Sequence, residues 1–140
     1  MKSNVRVRDL MTRSVRTLGR NDKLSAADGV MRTERIRHLP VIDEDGRLVG
    51  IVSQRDLFFS ALVQALGFGT TTHDRVLSTI PVKEVMIENV VTTTPETLVT
   101  AAARVMVDRK IGCLPVIEGE ALVGILSESD VVSAVAQGDL

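Results

Sequence analysis

The sequence predicts an α/β protein built from two β-α-β-β-α repeats, and three observations lead there. The chain repeats itself along nearly its whole length; each copy holds two short β-branched apolar runs around a turn; and each copy has an apolar stripe at helical spacing ahead of those runs. With an offset of 75, Val7, Met11, Val15, Thr17, Ala26, Ala27, Val30, Met31, Ile36, Leu39, Pro40, Val41 and Ile42 recur as Val82, Met86, Val90, Thr92, Ala101, Ala102, Val105, Met106, Ile111, Leu114, Pro115, Val116 and Ile117. With an offset of 74, Leu48, Val49, Gly50, Ile51, Ser53 and Asp56 recur as Leu122, Val123, Gly124, Ile125, Ser127 and Asp130. So many matches at two adjacent offsets mean duplication.

The elements follow in order within each copy. Val15–Leu18 and Val90–Thr93 read as a first short strand. A helix comes next, with Leu24, Ala27, Val30 and Met31 on one stripe in the first copy and Val99, Ala102, Val105 and Met106 in the second; Asn21 or Asp22, and Thr97, are the expected caps. A hairpin follows, turning at Asp45-Gly46 and at Glu118-Gly119, with both of its strands expected to be buried on both faces. The one-residue deletion between the copies falls in this turn. SQRDLFFSALVQAL and SESDVVSAVAQ then read as a second helix.

One such copy is too small to cover both faces of its sheet, so the two repeats are expected to pack through their sheets around a pseudo-twofold axis. The expected boundaries are residues 1–64 for the first repeat with its N-terminal segment, 65–79 for a linker and 80–140 for the second repeat. The GFG of the linker, Gly67–Gly69, reads as turn geometry, because no helix-opening phosphate loop follows it. His73, also in the linker, reads as a surface residue.

Composition narrows the function. A hydrophobic content of 44% in 140 residues supports a globular chain. LFFSALVQALGFG, the longest apolar stretch, is too short and too interrupted to span a membrane, and MKSNVRVRDL lacks the apolar core of a secretory signal. A cytoplasmic location without membrane insertion is expected. The single cysteine, Cys113, excludes an internal disulfide and CxxC-type zinc sites; in IGCLPV it reads as a buried, inert thiol. Phe58, Phe59 and Phe68 are the whole aromatic inventory, which leaves no stacking platform for single-stranded nucleic acid. The net charge of −1 hides an asymmetry: up to Arg75 there are 13 basic against 9 acidic residues, and beyond it 4 against 9. The halves could complement each other in a head-to-tail dimer, or the basic half could attract a phosphate-bearing ligand.

The chemistry-bearing motif is Ser-x-x-Asp, at Ser53/Asp56 and again at Ser127/Asp130, each where a strand gives way to a helix. Two readings are open. A Ser N-cap with an acid in the first turn stabilises a helix and needs no ligand. Alternatively, the free N–H groups of the helix start suit a phosphate, a carboxylate beside them can accept two hydrogen bonds from a ribose diol, and Gly50 and Gly124 would let a ligand approach the strand backbone.

The full pattern, VxDxM (VxExM in the second copy), VxT, an Ala-rich helix, LPVI, a turn, LVGI and SxxD, given twice over about residues 5–64 and 80–137, closely resembles a tandem pair of CBS domains, the module named after cystathionine beta-synthase. The resemblance implies a Bateman module, a regulatory unit that binds AMP, ADP, ATP or S-adenosylmethionine in two clefts between the repeats. It implies that Asp56 and Asp130 hold ribose hydroxyls and that Ser53 and Ser127 contact ribose or phosphate. Thr17, Ile36 and Pro40, with Thr92, Ile111 and Pro115, would surround the base by aliphatic and backbone contacts.

Basic residues often precede LPV in nucleotide-binding relatives, and the copies differ there: Arg37-His38 in the first, Gly112-Cys113 in the second, with Arg55 answered by Ser129. Surface or helix-pairing roles for Arg37, His38 and Arg55 stand as the alternative. If these side chains contact ligand, the two sites bind unequally.

An enzyme is not expected. Cys113 and His38 could be imagined as nucleophile and base, but they are not adjacent in sequence, no third orienting group is identifiable and HExxH is absent. No resident cofactor or metal is expected, an adenine nucleotide being a regulatory ligand. A standalone sensor of this kind would signal through a homodimer or a separate effector protein, whose identity the sequence does not reveal. The competing expectation is a ligand-free dimerisation or docking module. Nucleic acid is not an expected partner at this net charge.

Overall fold

A computed structural model describes residues 4–58, 62 and 77–140. Gly67–Gly69, Phe59, Phe68 and His73 lie outside the described residues. In order, the elements are α1 (Val7–Leu10), α2 (Leu24–Glu34), β1 (His38–Ile42), β2 (Leu48–Ser53), a helical stretch at residues 54–58, a 3-10 turn (Val82–Glu84), α3 (Val99–Arg109), β3 (Cys113–Glu118), β4 (Ala121–Ser127) and α4 (Glu128–Ala136). The chain is therefore α/β, and among the described residues β1–β2 and β3–β4 form two antiparallel sheets.

The structure divides into two compact units. One is Arg16–Val90; the other joins Met1–Val15 to Val91–Leu140. The linear repeats and the compact units thus divide the chain along different lines, because each unit takes its leading VxDxM-type segment from the other repeat. In the first-hairpin unit that segment bonds as Leu24 N–H to Ile80 O, 2.9 Å, and Val82 N–H to Asp22 O, 2.7 Å. In the second-hairpin unit the equivalents are Val99 N–H to Val5 O, 2.9 Å, and Val7 N–H to Thr97 O, 2.8 Å.

These bonds correct the expected helix caps. The N-cap residues of α2 and α3 are Lys23 and Leu98, and neither side chain caps. Backbone carbonyls from far along the chain satisfy the first N–H groups instead. Asp22 accepts from Gly19 N–H at 2.8 Å, and the Thr97 hydroxyl pairs with that of Thr94 at 2.8 Å, so both expected caps serve their own turns. The apolar stripes are as expected: Leu24, Ala27 and Met31 are buried in α2, and Val99, Ala102 and Met106 in α3. Both helices end on a left-handed residue, Arg35 (φ 55°) and Lys110 (φ 56°).

Both hairpins share one register. His38 opposes Ser53 and Val41 opposes Gly50, with a bulge between Val41 and Ile42; Cys113 opposes Ser127 and Val116 opposes Gly124, with a bulge between Val116 and Ile117. The turn glycines Gly46 (φ 80°) and Gly119 (φ 64°) adopt the left-handed conformation that costs a glycine nothing sterically. Only the leading strands are buried on both faces, at Leu39–Val41 and Cys113–Val116. The returning strands alternate, with Gly50 and Val52, and Gly124 and Leu126, buried between half-buried neighbours. The expectation of double burial fails for β2 and β4.

The expected first strands shrink to single parallel bridges, Leu18 to Val41 and Thr93 to Val116. Leu18 N–H donates to Pro40 O at 3.0 Å, and Thr93 N–H to Pro115 O at 3.0 Å. To extend either ladder backward, the Pro40 or Pro115 nitrogen would have to donate, and proline has no N–H. Each unit has its own core: Leu24, Ala27, Met31, Leu39, Val41, Val52, Leu57, Leu77 and Val82 in one, Val7, Met11, Ala102, Met106, Leu114, Val116 and Leu126 in the other.

Candidate functional site

The site is built at the point where each returning strand becomes a helix. In the first-hairpin unit, Gln54 N–H donates to Arg37 O at 2.7 Å, and Asp56 N–H donates to the Ser53 hydroxyl at 3.0 Å. In the second, Glu128 N–H donates to Gly112 O at 2.9 Å and Asp130 N–H to the Ser127 hydroxyl at 3.2 Å. Here the box also closes in reverse, since Ser127 N–H donates to Asp130 Oδ2 at 2.9 Å. Capping is therefore real at both motifs. It does not use up either serine, because a hydroxyl that accepts a bond still has a proton to donate.

The segment docked on β4 reaches this site, as does its counterpart on β2. Thr12 and Ile125 exchange backbone bonds at 2.9 Å, which brings the Thr12 hydroxyl to 3.5 Å from Asp130 Oδ1. Ile87 and Ile51 exchange the matching bonds, at 2.9 and 3.0 Å, so an aliphatic side chain occupies the position of Thr12. Among the described residues, nothing donates to the Asp56 carboxylate. Thr12 and Ile87 were not among the expected site residues. The offset of 75 pairs them, but their nearness to the aspartates depends on which hairpin their segment docks on.

Gly50 and Gly124 need correction. A Cβ on Gly50 would lie 2.6 Å from Met86 Sδ and 3.2 Å from Ile87 O; one on Gly124 would lie 2.8 Å from Met11 Sδ and 3.0 Å from Thr12 O. The group that approaches each glycine closely is thus a methionine of the docked segment, where a ligand was expected.

The remaining expected site residues occupy matched places. Thr17 and Thr92 are half-buried, one residue ahead of the parallel bridges. Ile36 and Ile111 pack against the cores of their units, and Pro40 and Pro115 are buried within β1 and β3. Half-buried His38 begins β1 opposite Ser53, while Arg37 and Arg55 are exposed. Cys113, opposite Ser127, is buried, and desolvation followed by the charge of Glu128 pushes its thiol up to about 12. Such a thiol stays protonated at neutral pH and is a poor nucleophile.

Among the described residues no helix is long and apolar enough to cross a membrane, and no group of three or more His, Cys, Asp or Glu could hold a metal ion.

Comparison with known proteins agrees with this architecture. The family model for the CBS domain matches residues 7–62 and 82–137. The crystal structure of AcuB from Vibrio cholerae is 36% identical with a TM-score of 0.81, covering 95% of this chain and 91% of that one. CBSX2 in complex with AMP is 26% identical with a TM-score of 0.80, covering 97% and 99%. The CBS domain pair of MJ0100 in complex with 5'-methylthioadenosine and S-adenosyl-L-methionine is 25% identical with a TM-score of 0.78, covering 96% and 98%. Among curated proteins, MJ1404 of Methanocaldococcus jannaschii is 29% identical over 136 residues, and a homoserine O-acetyltransferase of Methanococcoides burtonii is 32% identical over 126. These matches take in 95% and 89% of this chain, which spans only 32% and 23% of the length of those two relatives.

Proposed function

The chain belongs to the CBS domain family, and from that premise we propose that it is a regulatory module that binds an adenosine-containing small molecule. One observation carries the proposal: the hairpin-to-helix site with its Ser-x-x-Asp occurs twice, in a fold shared with chains crystallised with AMP, S-adenosylmethionine and 5'-methylthioadenosine. Asp56 and Asp130 accept the ribose hydroxyls, and Ser53 and Ser127 donate their remaining proton to ribose or phosphate. Thr17, Ile36 and Pro40, with Thr92, Ile111 and Pro115, surround the base; Arg37, His38 and Arg55 face phosphate.

Ligand binding shifts the balance between arrangements of the protein, and a homodimer or a separate effector reads that shift, in the cytoplasm. The module performs no chemistry of its own, in keeping with the high thiol pKa of Cys113. The bonds within both Ser-x-x-Asp motifs favour a second reading, a ligand-free dimerisation or docking module in which these residues only cap helices.

Titration calorimetry with AMP, ADP, ATP and S-adenosylmethionine separates the two. The proposal expects saturable binding of at least one compound, weakened about ten- to a hundredfold by Asp56→Ala or Asp130→Ala, the loss of a charge-assisted contact. A folded protein that binds none of them returns both motifs to capping.

A further inference from the structure

The two hairpin-to-helix sites share a backbone plan and differ in charge. Arg37, whose carbonyl accepts from Gln54 N–H, and Arg55, between Ser53 and Asp56 in sequence, are both exposed, and neither guanidinium has a hydrogen bond or ion pair among the described residues. The matching positions around Ser127 and Asp130 hold Gly112 and Ser129, and the place of Gln54 is taken by Glu128, which is exposed. At these positions the first site sets two guanidinium groups against one carboxylate, and the second sets two carboxylates with no cation at the matching ones.

Neighbouring charges do not undo this contrast. Arg35 and Lys110 match each other at the helix ends. Arg13 and Glu88 follow Thr12 and Ile87 in the docked segments, whose antiparallel bridges carry the chain toward Gly124 and Gly50, away from the helix starts. Arg13 Nη2 also donates to Arg8 O at 3.3 Å. The carboxylates differ too: Asp130 accepts from Ser127 N–H on one oxygen and has the Thr12 hydroxyl near the other, whereas Asp56 has neither contact among the described residues.

Resting on the adenosyl-binding reading above, we infer that the two sites divide adenosine ligands by charge. The Ser53/Asp56 site takes a phosphorylated adenosine, with the phosphate on Arg37 and Arg55. The Ser127/Asp130 site takes an adenosyl compound without phosphate, neutral or cationic. A phosphate there would meet Glu128 and Asp130 without the two arginines of the first site to offset them, whereas a thioether or sulfonium nucleoside brings no negative charge.

The test is calorimetric titration of the full chain with AMP and, separately, with 5'-methylthioadenosine. The expected result is one AMP site, weakened about tenfold or more in the Arg37→Ala/Arg55→Ala double variant while 5'-methylthioadenosine binding changes less than about twofold. Asp130→Asn, which keeps an acceptor for the helix cap, should weaken 5'-methylthioadenosine and spare AMP. Ser129→Arg, at an exposed position, should add a second AMP site. The division by charge is overturned if AMP fills both sites alike, if the arginine double variant binds AMP as the parent does, or if Ser129→Arg adds no AMP binding. If neither compound binds the parent protein, the adenosyl reading itself falls, and this inference with it.

Discussion

Gly50 and Gly124 show how much a single position can mean in this chain. Neither has a positive φ, so each is needed for space: Met86 and Met11 lie where a side chain would begin. Gly124→Ala should destabilise the protein by about 1–3 kcal/mol, the usual cost of an added methyl in a packed site. In a Met11→Ala background, itself destabilised by the lost core side chain, Gly124→Ala should cost less than it does in the parent but still cost something, because the Thr12 carbonyl, at 3.0 Å from the added Cβ, is backbone and cannot swing away as Sδ can. Urea unfolding midpoints of the two single variants and the double variant decide the matter, and an unchanged midpoint for Gly124→Ala would refute this account. The repetition of these glycines and methionines was plain in the sequence. Their contact was not, since it joins residues from opposite repeats.

Among the elements, those whose signals are local were legible and those completed by distant backbone were not. The helical stripes and the hairpins follow from apolar spacing and turn residues within a few positions. The starts of α2 and α3 depend on Ile80 O and Val5 O, which no local pattern announces. The Ser-x-x-Asp positions were legible as helix starts, and their bonds give a graded prediction. Ser127→Ala breaks a reciprocal capping box and should cost about 1 kcal/mol, while Ser53→Ala, which breaks the forward bond alone among the described residues, should cost less. Chemical unfolding of both variants checks the order, and a larger loss for Ser53→Ala would contradict it.

The first hairpin turn carries a pH dependence. Asp43 Oδ1 accepts from Asp45 N–H and Arg47 N–H, each at 2.9 Å, and its carboxyl lies below the usual 3.8, chiefly because of the Arg47 backbone bond. A carboxyl depressed in the folded state contributes stability that is present above its unfolded value and lost as pH falls through the folded one. Asp43→Asn keeps the acceptor and removes the titration. Its thermal midpoint should therefore fall less steeply than the parent's as pH drops below about 3.8; equal acid slopes would exclude Asp43 as a contributor.

For the whole molecule, the compact units do not coincide with the two contiguous copies of the duplicated sequence. Met1–Val15 belongs to the compact unit of Val91–Leu140, where Val7 and Met11 join the core of Ala102, Met106, Leu114, Val116 and Leu126. Removing residues 1–15 takes away both of those side chains, at about 1.5–3 kcal/mol each, and also Val5 O, which receives the first N–H of α3. The first-hairpin unit keeps its own docked segment, because Val82–Glu84 and Met86 remain in the chain and Val82 sits in its core. Hydrogen exchange on the fragment 16–140 should therefore show protection retained at Leu39, Val41 and Val52 and lost at Leu114, Val116 and Leu126. A cut at Arg75 is different: each piece keeps a hairpin but loses the segment docked on it, so neither should show native protection. Retained protection at Leu114 and Leu126 in 16–140, or two stably folded pieces from the cut at Arg75, would mean that the linear repeats are the true folding units and that the docked segments are an accessory to them.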